Sequence, residues 1–191
     1  MDKYTTNEAE NELLPNLLGL TNREEIAEAE FEGFLTAEIV FTERLNTHTH
    51  FNCKYIQDIH KLALGHLYTF AGKYRTVNMS KGGFLFPTAR FIPESMQLFE
   101  NEVLTKLPDE YADKYALIKD VARVHGELLF IHPFREGNGR TARILANLMV
   151  RKQGYEGLRF DKINFREYII AVQRVSEKNY LPMERIIGNL F

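Results

Sequence analysis

The chain has 191 residues, 45% of them hydrophobic, with a formal net charge of −2 and an isoelectric point near 6.3. This length and apolar content are enough to bury the core of one domain. The balanced charge lacks the basic footprint of a nucleic-acid-binding protein. No apolar run reaches about 18 residues, and no basic start precedes an apolar stretch, which disfavours a membrane span and a signal peptide. We therefore expect a single cytoplasmic domain over residues 1–191.

Three helices are predicted in the first hundred residues. Thr21 and Glu24 form the capping-box pattern that begins a helix, and this helix is long and acidic. Asn52 is a suitable N-cap for a second helix, and Pro93 is tolerated in the first turn of a third. The apolar positions at helical spacing, which we expect to face the core, are Ile26, Ala29, Phe31, Ile39, Tyr55, Ile56, Ile59, Leu62, Leu67, Met96, Leu98, Phe99, Val103 and Leu104.

Two short apolar segments, 77–79 and 84–86, flank the pair Gly82-Gly83. A two-glycine connection between such segments predicts a β-hairpin. The exposed edge of a hairpin can pair with an extended peptide through backbone hydrogen bonds, which fixes the register of that peptide. The alternative is an ordinary surface hairpin whose Phe84 and Phe86 cover the core.

Two more helices are predicted on either side of residues 132–139. Apolar residues recur at helical spacing from 118 to 129, and Pro133 should end that helix at the preceding residue. The next helix should begin near Gly139 and stop at Gly154. Later helices beginning at Asp161 and Asn164, and a last short one at Pro182, complete the prediction of an all-α, compact helical bundle with one short β-hairpin.

The segment 137–143 suits a phosphate group. Gly137 and Gly139 allow turn conformations and a close approach of backbone amides to an anion, and the helix that begins there points its positive end at the same place. Arg140 and Arg143 are three residues apart on one helical face, where guanidinium groups can bind phosphate oxygens in pairs. The side-chain amide of Asn138 can donate to the same oxygens.

Two further side chains supply the chemistry that a phosphate site needs. Glu136 is repelled by phosphate but can hold a Mg²⁺ ion that bridges two phosphates. His132 has an imidazole that accepts a proton near neutral pH, as a general base for a hydroxyl group must. Each residue alone also fits a helix-ending turn, a flexible loop or an exposed helix face. The complete run indicates nucleotidyl or phosphoryl transfer to an alcohol.

The run 132–143 matches the pattern His-x-Phe-x-(Asp/Glu)-Gly-Asn-Gly-Arg-x-x-Arg at every specified position. It thereby resembles the signature of the Fic family of protein AMP-transferases. Segments 59–62 and 68–76 look like the Fic stretch that leads into the substrate-binding flap, and 80–87 look like the flap itself. The resemblance covers roughly residues 52–154 as a Fic core, with 1–45 as an N-terminal helical extension.

The resemblance implies an enzyme that moves AMP from ATP-Mg²⁺ to a Tyr, Ser or Thr hydroxyl of a target protein, with His132 as general base. It implies that Glu136 ligates Mg²⁺ and that a buried Phe134 braces the loop. Arg143 would orient the γ-phosphate. The α- and β-phosphates would be held by Gly137, Asn138, Gly139 and Arg140, and the target would meet the flap at Ser80, Lys81, Gly82, Gly83 and Phe84.

Alternatives within this resemblance are transfer of another phosphate-containing group (UMP, phosphate or phosphocholine) and a catalytically silent toxin or interaction module. Regulation is a further expectation, because many Fic proteins are inhibited by a helix that bears (Ser/Thr)-x-x-x-Glu-(Gly/Asn). Glu32-Gly33 matches the end of that motif, but Glu28 stands where Ser or Thr is required. We therefore expect a small separate antitoxin, with Glu32 as an intramolecular candidate. The simpler interpretation is that these glutamates form a solvated helix face.

Overall fold

The computed structural model describes residues 5–6, 13–81 and 84–191, so the predicted turn residues Gly82 and Gly83 lie outside the described residues. Within those ranges the chain forms seven α-helices and three short strands. The helices are α1 (Arg23–Arg44), α2 (Cys53–Leu64), α3 (Ile92–Glu102), α4 (Lys114–Ile131), α5 (Asn138–Lys152), α6 (Phe165–Val175) and α7 (Leu181–Leu190). The strands are β1 (Thr5–Thr6), β2 (Met79–Lys81) and β3 (Phe84–Leu85). The all-α fold class is confirmed.

Asparagine side chains cap three of the helices. Asn52 accepts a hydrogen bond from the Tyr55 amide at 2.8 Å, and Asn164 caps α6 in the same way, as predicted. The prediction at α1 was wrong by one residue, because Asn22 accepts from the Glu24 amide at 2.8 Å and takes the N-cap position instead of its neighbour. The helix expected at Asp161 is only a 3₁₀ turn, since the chain becomes extended immediately before the α6 cap.

The buried face of α1 differs from the predicted one. Phe31 and Ile39 are 64% and 50% exposed, whereas Phe34 is buried. The reason is the close approach of α1 to α2 at Gly33, where an added Cβ would lie 1.9 Å from a backbone oxygen of α2. This contact places the face of α1 that carries Gly33 and Phe34 inward. Two other residues predicted in the core, Leu62 and Leu98, are also largely exposed.

Helix α5 lies between two hydrophobic clusters. One cluster is centred on α4 and includes Leu145 and Met149 of α5, together with side chains of α3, α6 and α7. The other joins α1 and α2 to Ile144 and Leu148 of α5. Because α5 is packed on both sides, the residues at its N-terminus are held in place. Among the described residues, no helix combines the length and apolar character needed to cross a bilayer.

The predicted hairpin is present and carries an additional strand. Strands β2 and β3 are antiparallel, with Ser80 opposite Leu85 and Lys81 opposite Phe84. Strand β1 pairs antiparallel with the other edge of β2, so the order of the sheet is β1-β2-β3. The hairpin leaves one edge, that of β3, without a neighbouring strand in the described part of the chain.

Candidate active site

Helix α4 ends at Ile131 with His132 as its C-cap, as predicted from Pro133. The His132 backbone is left-handed, with φ 53° and ψ 58°, and its amide donates to Leu128 O at 3.1 Å. A left-handed residue other than glycine is uncommon and is worth examining as a functional position. This geometry turns the chain out of the helix directly into the loop 133–137.

The His132 ring is fixed by two contacts. Its Nδ1 lies 3.1 Å from Leu129 O, and its ring stacks on Phe86 at 3.9 Å between centroids. A carbonyl oxygen only accepts hydrogen bonds, so Nδ1 carries the proton of the neutral ring and Nε2 carries the lone pair. The side chain is only 3% exposed, with Phe86 from the end of the flap against one ring face. The imidazole is therefore held in the tautomer that a general base acting through Nε2 requires.

The loop after His132 is braced from inside. Phe134 is fully buried, as predicted, and stacks on His60 at 3.9 Å. The Asn138 side chain accepts from the Phe134 amide at 2.8 Å and donates to the Phe134 carbonyl at 2.7 Å. The predicted donation of this amide to a phosphate stays a prediction, because the amide nitrogen carries a second proton. Both of its polar ends are already used to close the loop.

A second buried histidine supports the same loop. His60 Nε2 donates to Glu136 O at 2.9 Å, and its Nδ1 accepts from the Gly72 amide at 2.8 Å. Burial lowers the pKa of His60 to about 4, so the ring is neutral near pH 7. His60 thus ties α2 and the segment before the flap to the backbone of the signature. In the sequence, His60 lies only within the segment 59–62 that resembles Fic proteins, and no local pattern indicates this contact.

The N-terminus of α5 forms an open cradle of backbone amides. Gly137 has φ 76°, and an added Cβ would come within 2.7 Å of Phe34, so no other residue fits there without strain. The first intrahelical bond is Thr141 N to Gly137 O at 2.9 Å. The amides of residues 138–140 therefore have no acceptor within the helix. They point out of the N-terminal end of α5, which we call its mouth. An added Cβ at Gly139 would meet no atom within 4 Å, which leaves room for an anion.

The two signature arginines contact different neighbours. Arg140 donates to Glu30 at 2.7 Å and to Glu136 at 3.2 Å. The guanidinium carbon of Arg143 lies 5.7 Å from the centre of the Phe160 ring, in the segment that precedes α6. Arg140 thus contacts a residue of α1, whereas Arg143 contacts a residue C-terminal to α5.

The glutamate that reaches the signature is Glu30 and not Glu32. Glu30 is 6% exposed and accepts a hydrogen bond from the Tyr68 hydroxyl at 2.6 Å as well as the bond from Arg140. Glu32 lies on the exposed side of α1. Two residues along a helix differ by about 200° in direction, so both side chains cannot face α5. Glu32 makes no contact with the signature in the described residues, and the glutamate that binds a signature arginine is Glu30, on Arg140.

Arg75 joins the flap to His132 and to the loop 133–137. Its guanidinium donates to His132 O at 2.7 Å, Val77 O at 2.7 Å and Pro87 O at 2.6 Å. Its own amide donates to Pro133 O at 2.8 Å. Burial lowers the pKa of Arg75 to about 10, which still leaves it charged at neutral pH. Both ends of the hairpin and the backbone of His132 are therefore fastened to one side chain.

The site fits a magnesium ion held by one protein carboxylate. Glu136 lies at the mouth of α5, its side chain is 18% exposed, and its Oε1 accepts from the Gly137 amide at 2.8 Å. No group of three or more His, Cys, Asp or Glu side chains could hold a metal in the described ranges. Mg²⁺ is commonly bound by one or two carboxylates together with phosphate oxygens and water. Glu136 is suited to that arrangement.

Residues 50–150 match the model of the Fic/DOC family. The chain is 29% identical over 146 residues to protein adenylyltransferase Fic of Aedes aegypti, covering 76% of this chain and 28% of that protein. It is 33% identical over 118 residues to protein adenylyltransferase Fic of Nematostella vectensis, covering 60% of this chain and 27% of that protein. The chain thus spans little more than a quarter of the length of these relatives.

The fold is similar to the ADP-bound N-terminal Fic domain of a VirB-translocated Bep effector protein from Bartonella quintana. The TM-score is 0.77 at 21% identity, over 93% of this chain and 89% of that one. The matched segment 50–150 contains α2, the flap and the whole signature. With its fold, its signature geometry and this match in agreement, the chain belongs to the Fic/DOC family.

Proposed function

We propose that this chain is a protein adenylyltransferase that moves AMP from ATP to a Tyr, Ser or Thr hydroxyl of a target protein. The observation that carries the proposal is the Nδ1 contact of His132 with Leu129 O, because it leaves the lone pair that a general base needs on Nε2. The curated relatives named as adenylyltransferases support the same reaction.

In this proposal, Nε2 of His132 accepts the proton of the target hydroxyl as its oxygen attacks the α-phosphorus. The bond between the α-phosphorus and the β-phosphate oxygen breaks, and pyrophosphate leaves. The amides of residues 138–140 and the positive end of α5 stabilise the charge on the phosphate oxygens. A bound Mg²⁺, held by Glu136, supplies neutralisation of the triphosphate charge. Arg140 would help to hold the α- and β-phosphates, and Arg143 the γ-phosphate.

The proposed docking edge for the target is β3. The Phe86 amide donates to Met79 O at 3.1 Å, which makes these two residues a hydrogen-bonded pair. Hydrogen-bonded and non-bonded pairs alternate along an antiparallel ladder, so the next pair, Ser80 and Leu85, is non-bonded. The Leu85 N–H and C=O therefore point away from β2. They are the groups to which an extended target segment would add as a further strand.

Leu85→Pro is expected to lower target modification about five- to tenfold without changing ATP affinity, since it removes one outward donor worth about 1 kcal/mol. Proline is tolerated on an edge strand where its nitrogen faces away from the ladder. Labelling of the target, with ATP affinity measured in parallel, checks this. Leu85→Ala is the matched control, because the Leu85 side chain is 78% exposed. Equal losses in both variants would point to the side chain and contradict docking through the backbone.

The transferred group is tested by incubating the protein and Mg²⁺ with a lysate and ATP labelled at either the α- or the γ-phosphate. AMP transfer labels proteins only from α-labelled ATP. Label from γ-labelled ATP alone would indicate phosphate transfer and overturn the proposal. Parallel reactions with α-labelled UTP test UMP transfer.

The candidate partners of the site are a target protein and a small antitoxin. We propose the antitoxin because the inhibitory motif at Glu32-Gly33 is incomplete and the exposed Glu32 makes no contact with the signature in the described residues. We expect the antitoxin to bind Arg143, since Arg140 is already paired with Glu30.

A further inference from the structure

A buried carboxylate of α1 contacts the signature from outside the segment that matches the family model. Glu30 is 6% exposed, and the matched segment is 50–150. Its Oε1 accepts a hydrogen bond from the Tyr68 hydroxyl at 2.6 Å, and its Oε2 accepts one from Nη2 of Arg140 at 2.7 Å. A glutamate is rarely buried unless it is paired. Here the pair is made with a side chain of the signature.

The Arg140 guanidinium is shared between two carboxylates. The same nitrogen, Nη2, donates to Glu30 at 2.7 Å and to Oε1 of Glu136 at 3.2 Å, so the shorter bond goes to Glu30. The guanidinium carbon also lies 4.4 Å from the centre of the Phe34 ring, which is on α1 as well. The Glu30 side chain is 8% exposed and the Glu136 side chain 18%. Attraction between charges is stronger where less water separates them, so Glu30 is the stronger partner.

Glu136 keeps one carboxylate oxygen for a cation. Its Oε1 accepts from the Gly137 amide at 2.8 Å as well as from Arg140. Both hydrogen bonds go to Oε1, so Oε2 is the oxygen available to a cation. A guanidinium that paired with Glu136 in the bidentate manner would occupy both oxygens. Because Arg140 is held by Glu30, it makes only a single, longer bond to Glu136.

We propose that Glu30 is a positioning residue that keeps Arg140 from pairing fully with Glu136 and so preserves the capacity of Glu136 to bind Mg²⁺ with the nucleotide. The inference rests on the proposed function, in which Glu136 holds the Mg²⁺. Glu30 acts through Arg140 and touches neither the metal nor the nucleotide. Without the charge of Glu30, Arg140 should move to Glu136, and the contribution of Mg²⁺ to nucleotide affinity should fall. Binding of the metal-free nucleotide should not weaken, because a negative charge near an anion has been removed.

The test is calorimetric titration of ADP into wild-type protein and Glu30→Gln, once with Mg²⁺ and once with EDTA. The ratio of the two affinities measures the contribution of Mg²⁺. We expect this ratio to fall about tenfold in Glu30→Gln, the size expected when a hydrogen bond to a charged group changes partner. Glutamine has the shape of glutamate, and its amide can accept from Arg140 and donate to the Tyr68 hydroxyl oxygen. The variant should therefore fold, which a thermal melt checks.

Two control variants separate the charge of Glu30 from other effects. Glu28→Gln removes the same charge from an exposed position of α1, about 200° around the helix from Glu30. Tyr68→Phe removes the other hydrogen bond of Glu30 but leaves the carboxylate and its pair with Arg140. Each control should leave the ratio within about twofold of wild type. A fall in either control as large as that in Glu30→Gln would assign the effect to net charge or to local packing and overturn the inference.

A double-mutant cycle tests the route through Arg140. In an Arg140→Met background, Glu30→Gln should cause no further fall in the ratio. A fall that persists there, an unchanged or higher ratio in Glu30→Gln alone, or equal weakening with Mg²⁺ and with EDTA would overturn the inference. Wild-type protein whose ADP affinity does not respond to Mg²⁺ would overturn it as well. Wild-type protein that binds ADP with Mg²⁺ but transfers no AMP from ATP would refute the proposed function alone, because the ratio does not depend on transfer.

Discussion

His132→Asn is expected to lower the rate of AMP transfer by about two to four orders of magnitude while ATP affinity stays within about twofold. The variant removes the Nε2 lone pair but not the amide cradle or the arginines. Asparagine is the appropriate replacement because residue 132 has φ 53°, a left-handed conformation that asparagine tolerates better than alanine. Single-turnover labelling with α-labelled ATP measures the rate, and calorimetry measures the affinity.

The control for this variant is His66→Asn. His66 is an exposed histidine that contacts Ala29 O at 3.2 Å, on the side of α2 next to α1. It should leave both transfer and ATP affinity unchanged. Transfer by His132→Asn at the wild-type rate would refute the role of residue 132 as the base. A loss of ATP affinity as large as the loss of rate would assign the residue to substrate binding instead.

Arg75→Met is expected to have the largest combined effect on stability and activity. It leaves one buried and two partly buried carbonyl groups without their charged donor, so we expect the free energy of unfolding to fall by roughly 3 kcal/mol. For a chain of this length that lowers the melting temperature by about 6–12 °C. Transfer should fall about a hundredfold at temperatures where the variant is folded, because a displacement of His132 of about 1 Å has an effect of that size. Thermal melts and labelling at low temperature check both parts.

Two further variants test whether the effect of Arg75→Met comes from its three hydrogen bonds to carbonyl groups. Arg75→Lys keeps the positive charge but cannot reach three separated carbonyls, so it should fall between wild type and Arg75→Met. Arg90→Met is the matched control, since Arg90 is exposed and stacks on Phe91 at 4.4 Å. If Arg75→Met and Arg90→Met have the same melting temperature and the same rate of AMP transfer, the positions of the flap and of the loop 133–137 do not depend on the Arg75 side chain.

The parts of the site that could be predicted from the sequence are those encoded by near neighbours along the chain. The turn at Pro133, the cradle at Gly137 and the start of α5 each depend on local backbone preferences, and all three are present. The same local reasoning placed the caps at Asn52 and Asn164 correctly. At α1 it failed by one residue, because two adjacent residues are both good caps and only the packed helix selects between them.

The parts that could not be predicted depend on contacts between residues far apart in sequence. Arg140 meets Glu30 across 110 positions, and Arg75 meets His132 across 57. A buried glutamate in an acidic helix looks like its exposed neighbours until the packing at Gly33 decides which face is inside. The side chain of Asn138 was assigned in the sequence only to a phosphate, and its hydrogen bonds to the Phe134 backbone were not predicted.

The most direct measurement is the structure of the protein with magnesium and a non-hydrolysable ATP analogue. We expect the α-phosphate oxygens to accept hydrogen bonds from the amides of residues 138–140, and Nε2 of His132 to face the side of the α-phosphorus opposite the pyrophosphate. A triphosphate bound away from the mouth of α5, or an imidazole whose Nε2 faces away from the α-phosphorus, would contradict this expectation.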